Sequence, residues 1–131
     1  MTEKQKDLCM YRFARAEETI KSAALCMDNH FFKDAINRSY YGAFYGIKAV
    51  LALADVDFKK DKDVVAYFNQ HYVATGGFDG NIGRLLARLQ KERETSDYDD
   101  FYIASHEEAA EQLMSAEKIL SDVRQYLEKM D

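Results

Sequence analysis

Hydrophobic positions recur every three or four residues along most of the chain, which is the spacing of an α-helix and not of a strand. The first such segment runs from about Glu3 to Met27. Its apolar stripe consists of Cys9, Phe13, Ala16, Ile20, Ala23 and Met27. We predict that this helix stops at residues 28–30, where Asn29 can take the left-handed conformation of a helix C-terminus.

The second segment, from about Phe31 to Ala54, combines an apolar stripe with a set of small residues. The stripe is formed by Ile36, Tyr40, Phe44, Ile47 and Leu51, and the small residues are Ala35, Ser39, Gly42, Ala43 and Gly46. Gly42 and Gly46 each cost about 1 kcal/mol relative to alanine inside a helix. We therefore expect a close approach there, by a neighbouring helix or by a second subunit.

Three shorter or more polar segments complete the pattern. Residues 55–63 are charged and turn-like, and a third helix carries Val65, Phe68 and Tyr72 before it stops at Gly76 and Gly77. A fourth helix begins at Asp79–Asn81 and runs to about Glu94, and the polar residues 95–100 are predicted to be a loop. Ser105 and Glu108 have the spacing of a capping box. A heptad stripe follows on Ala109, Leu113, Ala116, Leu120, Val123, Leu127 and Met130.

These segments predict an all-α fold, an antiparallel up-and-down bundle of about five helices in a single domain over residues 1–131. The chain contains no proline, which suits long uninterrupted helices. Its 47% hydrophobic and 31% charged residues, with a net charge of -5, are typical of a folded globular protein and exclude a disordered one. No run is apolar enough for a membrane span, and the first residues do not resemble a signal peptide. Cys9 and Cys26 are therefore expected to be reduced thiols in a cytoplasmic protein.

The sequence indicates no metal, no cofactor and no known catalytic group. A di-iron bundle needs a Glu-x-x-His pair on each of two helices, but Met27, Phe68 and Ile103 precede the three histidines by three positions. No zinc spacing, P-loop or dinucleotide-binding glycine motif is present. No nucleophile stands beside a base, so the catalytic residues, if any, are unknown from the sequence.

One face of the second helix combines two cations with two phenols. Its members, at steps of three and four residues, are Arg38, Tyr41, Tyr45 and Lys48. Such a face can bind phosphates and stack on a base. The alternative is that the tyrosines pack at the edge of the core with their hydroxyls outward, and that Arg38 pairs with a carboxylate of another helix.

Further candidates lie on the third helix, at the end of the fourth helix and in the polar stretch that follows it. Arg93, Asp97 and Tyr98 follow the basic face of Arg84, Arg88 and Lys91, which we interpret as a solvated helix surface. Asp97 can neutralise Arg93 or Arg38 and fix its orientation. His71 is the histidine nearest to aromatic residues, and it is either a ligand-binding residue or an ordinary boundary residue.

Three stretches together resemble the HEPN family, and within it a stand-alone prokaryotic subgroup of uncharacterised proteins. They are AINRSYYGAFYGIKAVL at residues 35–51, VVAYFNQHYVATGG at residues 64–77, and RETSDYD at residues 93–99 followed by SHEEAAEQLMSAEKIL. The resemblance implies an up-and-down helical bundle. It also implies a homodimer, and either ribonuclease activity or a toxin–antitoxin pair with a small nucleotidyltransferase.

The nuclease motif of that family is an arginine followed, after four to six residues, by a histidine. The corresponding positions are Ala43, Phe44 and Tyr45 after Arg38, and Tyr98, Asp99 and Asp100 after Arg93. We therefore favour a non-catalytic HEPN-like module that binds a nucleotide, an RNA or a partner protein. The alternatives are a metal-independent ribonuclease with an altered active site, and a purely structural interaction domain whose small-residue face buries a partner helix.

Overall fold

Five α-helices account for most of residues 1–130, the part of the chain that the computed structural model describes. They are α1 (Glu3–Asp28), α2 (Phe32–Leu53), α3 (Asp61–Phe68), α4 (Gly80–Tyr98) and α5 (His106–Lys129). A π-helical turn, Asn69–Val73, continues α3. No strand occurs in these residues, so the predicted all-α class is confirmed. Over the same residues, no helix is both long enough and apolar enough to cross a bilayer.

Side-chain caps define where three of the helices begin. The Thr2 hydroxyl accepts a hydrogen bond from the backbone N–H of Gln5 at the start of α1. Asp79 does the same for Asn81 at the start of α4. The predicted cap of α5 is confirmed, because the Ser105 hydroxyl accepts from the Glu108 backbone N–H at 3.0 Å. Each cap satisfies a backbone donor that the first helical turn leaves unpaired.

Contacts between the helices show an up-and-down bundle arranged around α2. Ile20 of α1 lies against Gly42, while Arg12, two turns earlier, donates to the carbonyl of Lys48, so α1 and α2 are antiparallel. α4 is also antiparallel to α2, and α5 packs on α2 as well as on α1 and α4. α2 therefore contributes the largest share of the core, and its predicted apolar stripe is buried throughout.

The glycines of α2 are explained by neighbouring helices of the same chain. A Cβ on Gly42 would lie 2.8 Å from Ile20 Cγ1 and closer still to Cδ1, and a Cβ on Gly46 would lie 3.2 Å from Leu120 Cδ1. α1 and α5 therefore approach the α2 backbone more closely than an alanine would allow without adjustment. The small-residue face is occupied within the chain, so it does not support a second subunit or a partner helix.

The predicted end of α4 was wrong, whereas α1 ends at residue 28 as predicted and only its left-handed residue differs. The loop predicted at residues 95–100 begins only at Asp99, because α4 continues for one more turn, buries Ser96 and pairs Arg93 with Asp97 across i and i+4. The polar composition of that turn resembles a loop because most of it faces solvent. At the end of α1 the left-handed residue is His30 (φ 61°) and not Asn29. The Asn29 side chain instead donates to the Leu25 carbonyl at 2.8 Å.

The apolar stripe of α5 lies slightly differently from its heptad prediction. Ala109, Ala116, Leu120 and Val123 are buried as expected, but Leu113 and Leu127 are only half-buried and Met130 is exposed. Gln112 and Ile119 are buried in their place. The stripe drifts because a straight helix turns at 3.6 residues and not at the 3.5 of a strict heptad.

We predict that Gly42→Ala is less favourable for folding than Gly80→Ala by about 1–3 kcal/mol, the usual cost of overpacking. Both substitutions gain helix propensity, but a Cβ at Gly80 has no atom within 4 Å, whereas one at Gly42 collides with Ile20. Urea unfolding followed by circular dichroism measures the difference. In the Gly42→Ala, Ile20→Ala double variant the two effects should be non-additive, with less destabilisation than their sum. Additive losses would contradict the steric explanation.

Candidate functional site

The site lies where α4 packs antiparallel against α2. Arg93 of α4 is only 8% exposed, and its guanidinium carbon lies 4.9 Å from the ring centre of Tyr40 and 5.6 Å from that of Tyr41. Both distances are within the range of a cation–π contact. Tyr41 is partly buried and packs against the core, as the alternative interpretation predicted. Tyr40, which the sequence assigned to the core only, also contacts the buried cation.

A chain of polar contacts connects Arg93 to Arg38. Asp97 Oδ2 lies 3.8 Å from Arg93 Nη1 and accepts a hydrogen bond from Asn37 Nδ2 at 3.0 Å. Asn37 Oδ1 in turn accepts from Arg38 Nε at 3.0 Å and from Nη2 at 2.6 Å. Of the two partners considered for Asp97, the ion-pair partner is Arg93, and Arg38 is reached only through Asn37.

Sequence reasoning missed Asn37 because an amide carries neither charge nor an aromatic ring. Its position is four residues before Tyr41, so the two residues share a face of α2. That spacing could have identified Asn37, but only once the partner helix was known. The site therefore consists of Asn37, Arg38, Tyr40, Tyr41, Arg93 and Asp97, which we call the arginine–tyrosine cluster.

Arg38 is the one arginine of the cluster without a carboxylate partner among residues 1–130. Two guanidinium groups contact the ring of Tyr41. Arg38 Cζ lies 5.5 Å from the ring centre, and Arg93 Cζ lies 5.6 Å from it. Among residues 1–130, no carboxylate forms an ion pair with Arg38, and Asp97 provides one negative charge for Arg93. The members of the cluster sum to +1, with +2 from the arginines and -1 from Asp97, and the carboxylate of Asp61, which Tyr40 contacts, brings the local sum to zero.

The phenols of the cluster are held in their neutral form. Burial raises the pKa of Tyr40, and the nearby carboxylate of Asp61, which accepts a hydrogen bond from Tyr40 Oη at 3.4 Å, raises it further. Burial also raises the pKa of Tyr41, although Arg93 acts in the opposite direction. Because an ordinary phenol has a pKa near 10, neither hydroxyl can serve as a base at neutral pH.

Arg93 stays charged despite its burial. Burial by itself lowers the pKa of Arg93, but Tyr41, Tyr40, a hydrogen bond with the side chain of Tyr98, and Asp97 together raise it above its ordinary value. Its Nε is buried and has no hydrogen-bond acceptor among the residues described. The cation is thus held mainly by aromatic rings and by a single carboxylate, and not by a full set of hydrogen bonds.

The other two members of the predicted α2 face belong to different contacts. Lys48 Nζ lies 3.4 Å from Asp57 Oδ1 in an ionic group that includes Arg12. Tyr45 lies beneath Arg15, whose Cζ is 5.4 Å from the ring centre, although the rings of Tyr45 and Tyr41 are neighbours at 6.3 Å. Tyr41 and Tyr45 both pack against the core, as the packing alternative has it. The carboxylate partner that the same alternative gave Arg38 is not found within residues 1–130, where Arg38 bonds to the amide of Asn37.

Tyr98 and His71 lie on the surface in two different places. Tyr98 is 77% exposed and lines a shallow open depression with Arg93, Glu94, Thr95 and Asp99. His71 lies in the π-helical turn and stacks on Tyr67 with ring centres 4.1 Å apart. None of the contacts of the arginine–tyrosine cluster described above involves His71, whereas Tyr98 stands at its open side.

The cluster has neither a histidine nor a group of metal-binding side chains. Throughout residues 1–130 there is no set of three or more histidine, cysteine, aspartate or glutamate side chains placed to hold a metal ion. The positions that the nuclease motif would require after Arg38 are occupied by Ala43, Phe44 and Tyr45. What the arrangement offers chemically is binding of an anion beside exposed aromatic rings.

Comparison with known proteins agrees with this architecture. The family model of the HEPN domain matches residues 10–126. The UPF0332 protein of Thermotoga maritima is 31% identical over 130 residues, which are 99% of this chain and 98% of that protein. A Methanocaldococcus jannaschii protein that bears the name "Putative toxin" is 26% identical over 113 residues, or 86% of this chain and 77% of the relative. The chain belongs to the HEPN family.

We predict that Arg93→Ala lowers the free energy of unfolding by about 2 kcal/mol or more, the size of a desolvated cation–π contact. Arg38→Ala should cost less than about 1 kcal/mol, because its guanidinium is only partly buried and has no carboxylate partner among the described residues. Arg84→Ala, on the exposed face of α4, is the matched control for the loss of one charge. Equal losses for Arg38→Ala and Arg93→Ala in urea unfolding would make Arg38 a structural residue.

Proposed function

We propose that this protein is a non-cleaving HEPN module that binds the phosphate of an RNA or a nucleotide at the arginine–tyrosine cluster. The observation that carries the proposal is the state of Arg38. Its guanidinium is half-buried against the ring of Tyr41, which Arg93 also contacts, and it forms no ion pair within residues 1–130. A guanidinium presents a planar fork of donors that matches the oxygens of a phosphate.

Asn37 holds Arg38 in a fixed orientation without neutralising it. The amide oxygen takes up Nε and Nη2, so Nη1 is left to donate to an incoming oxygen. Because an amide is uncharged, the positive charge of Arg38 is preserved for the ligand. A carboxylate at position 37 would have consumed that charge in an internal ion pair.

The ligand we propose carries an aromatic base as well as a phosphate. Tyr98 is largely exposed beside Arg93, and a base can stack on a tyrosine ring whatever its sequence. A nucleotide and a single-stranded RNA share this combination of phosphate and base. An acidic protein surface supplies the anion but not the base, so we favour RNA or nucleotide over a partner protein at this site.

The same geometry favours binding without cleavage. Strand cleavage by proton transfer needs a group near neutral pKa within reach of the attacking hydroxyl. The phenols of Tyr40 and Tyr41 have raised pKa values, and the carboxylate of Asp97 is engaged by Arg93 and Asn37. The cluster thus supplies charge for a phosphate but no free base.

The names of two archaeal relatives support a place in a toxin–antitoxin system. Two Methanocaldococcus jannaschii relatives carry a toxin name, with 26% and 27% identity to this chain. We propose on that basis that this chain acts in a toxin–antitoxin pair. From its membership of the HEPN family we further propose that the partner is a small nucleotidyltransferase and that the chain forms a homodimer. Both are separate from the phosphate site, and co-expression with the neighbouring gene followed by light scattering tests them.

Arg38→Ala should weaken binding of a short single-stranded RNA by about tenfold or more, the effect of losing a charge-assisted hydrogen bond of about 1.5–3 kcal/mol. Fluorescence anisotropy at several salt concentrations measures the affinity. The slope of the logarithm of the binding constant against the logarithm of the salt concentration should fall in magnitude by about one. Arg84→Ala, which removes the same charge from the exposed face of α4, should change the affinity less than twofold. Equal weakening by both variants would show that the effect is general electrostatics.

A cleavage assay on the same preparations separates the binding module from the ribonuclease. We expect the wild-type protein, Arg38→Ala and Arg93→Ala to leave the RNA intact. Cleavage by the wild type that either arginine variant loses would establish an altered active site and overturn the non-cleaving proposal. Equal cleavage by all three would place the activity outside this cluster or in a contaminant.

A further inference from the structure

A second cavity lies at the opposite end of α2 from the arginine–tyrosine cluster. It is enclosed by the first half of α1, the end of α2 and the last turns of α5, and its volume is about 290 Å³. Leu53, in its wall, lies 15 positions after Arg38, about 22 Å along the helix. The cavity is therefore separate from the proposed phosphate site.

The walls of this cavity are apolar. The apolar side chains that line it include Cys9, Met10, Phe13, Leu53, Leu127 and Met130. Cys9 and Phe13 are buried at its base, whereas Met10 and Met130, at 62% and 42% exposure, mark its opening. Its volume lies near the lower end of the range for small-molecule pockets, about 300 Å³. Methionine side chains adapt readily to the shape of an apolar ligand.

The rim of the cavity carries one cation without an ion-pair partner among residues 1–130. The charged side chains that line the rim are Lys6, Arg124 and Glu128, and with Glu17, which pairs with Arg124, their charges balance. Arg124 is partly engaged, because it pairs with Glu17 at 3.0 Å and its guanidinium carbon lies 5.5 Å from the centre of the Phe13 ring. Lys6 forms no ion pair with any residue in the range 1–130. An apolar chamber beside an uncompensated ammonium group is complementary to a molecule with an apolar tail and one negative charge.

We propose that this cavity binds a medium-chain fatty carboxylate, with the hydrocarbon tail between Phe13 and Leu127 and the carboxylate at Lys6. Burial of each methylene in the chamber supplies affinity. The carboxylate supplies the ion-pair partner that Lys6 lacks within residues 1–130. A side chain from a second copy of this protein is the competing occupant, and it would enter through the same opening at Met10.

Isothermal titration calorimetry with hexanoate, octanoate and decanoate, each below its micelle concentration, tests the proposal. We expect one site per chain and an affinity that rises about fourfold for each added methylene until the chamber is full. Octanol, which has the same tail length as octanoate but no charge, should bind more weakly. No binding at millimolar concentration, or an affinity independent of chain length, would overturn the proposal.

Variants at the rim test the geometry of the site. Lys6→Gln should weaken octanoate several-fold and leave octanol unchanged, and Lys4→Gln, an exposed lysine in the same turn region that does not line the cavity, should change neither. Met10→Glu changes an exposed residue and should abolish carboxylate binding with the circular dichroism spectrum intact. If Lys6→Gln and Lys4→Gln behave alike, the carboxylate is not recognised at Lys6. If no fatty acid binds and Met10→Glu instead dissociates an oligomer, a second copy covers the cavity.

Discussion

The close approach of neighbouring helices to the backbone of α2 is the constraint on which the rest of the structure depends. Gly42 and Gly46 have no side chains, so Ile20 and Leu120 can lie where a Cβ would otherwise stand. The helix propensity lost at each glycine is offset by the packing that this proximity allows. With α1 and α5 seated there, α2 is surrounded on most of its circumference, and the face left for α4 is the one that carries Asn37, Arg38, Tyr40 and Tyr41.

The crossing of α4 and α2 then combines stability with chemistry. Arg93 exchanges water for two aromatic rings and one carboxylate, and a buried cation of this kind contributes through packing as much as through charge. Arg38 lies at the same crossing, but its contacts leave its charge uncompensated. A difference in burial thus separates two arginines of the same site. Arg93 is buried between the two helices, and Arg38 stays partly exposed without an ion pair in residues 1–130.

The candidate site could be predicted only in part. Arg38 and Tyr41 were recognisable because charges and phenols at helical spacing are uncommon on a buried helix. Arg93, Asp97 and Tyr98 were recognisable from the charged stretch RETSDYD, although its second half was predicted to be a loop. Asn37 was not recognisable, since the role of an uncharged amide becomes clear only when its hydrogen-bond partners, Asp97 and Arg38, are known. Lys48 lies on the same predicted face as Arg38, but its charge is paired with Asp57. Asp57 belongs to a loop, and hydrophobic periodicity does not predict where a loop residue lies. Tyr40 was assigned to the core, and it lies there, yet its ring also supports the buried guanidinium.

What the sequence by itself determined was the set of helices and their buried faces, because a period of 3.6 residues is a local property of the chain. The resemblance to the HEPN family rested on local strings in the same way, and the family match over residues 10–126 confirmed it. Only the tertiary structure decided which helix fills the groove at Gly42, how far α4 continues and which arginine keeps a free charge. Those outcomes depend on atoms that are distant in sequence and meet only when the bundle closes, so no pattern along a single helix can contain them.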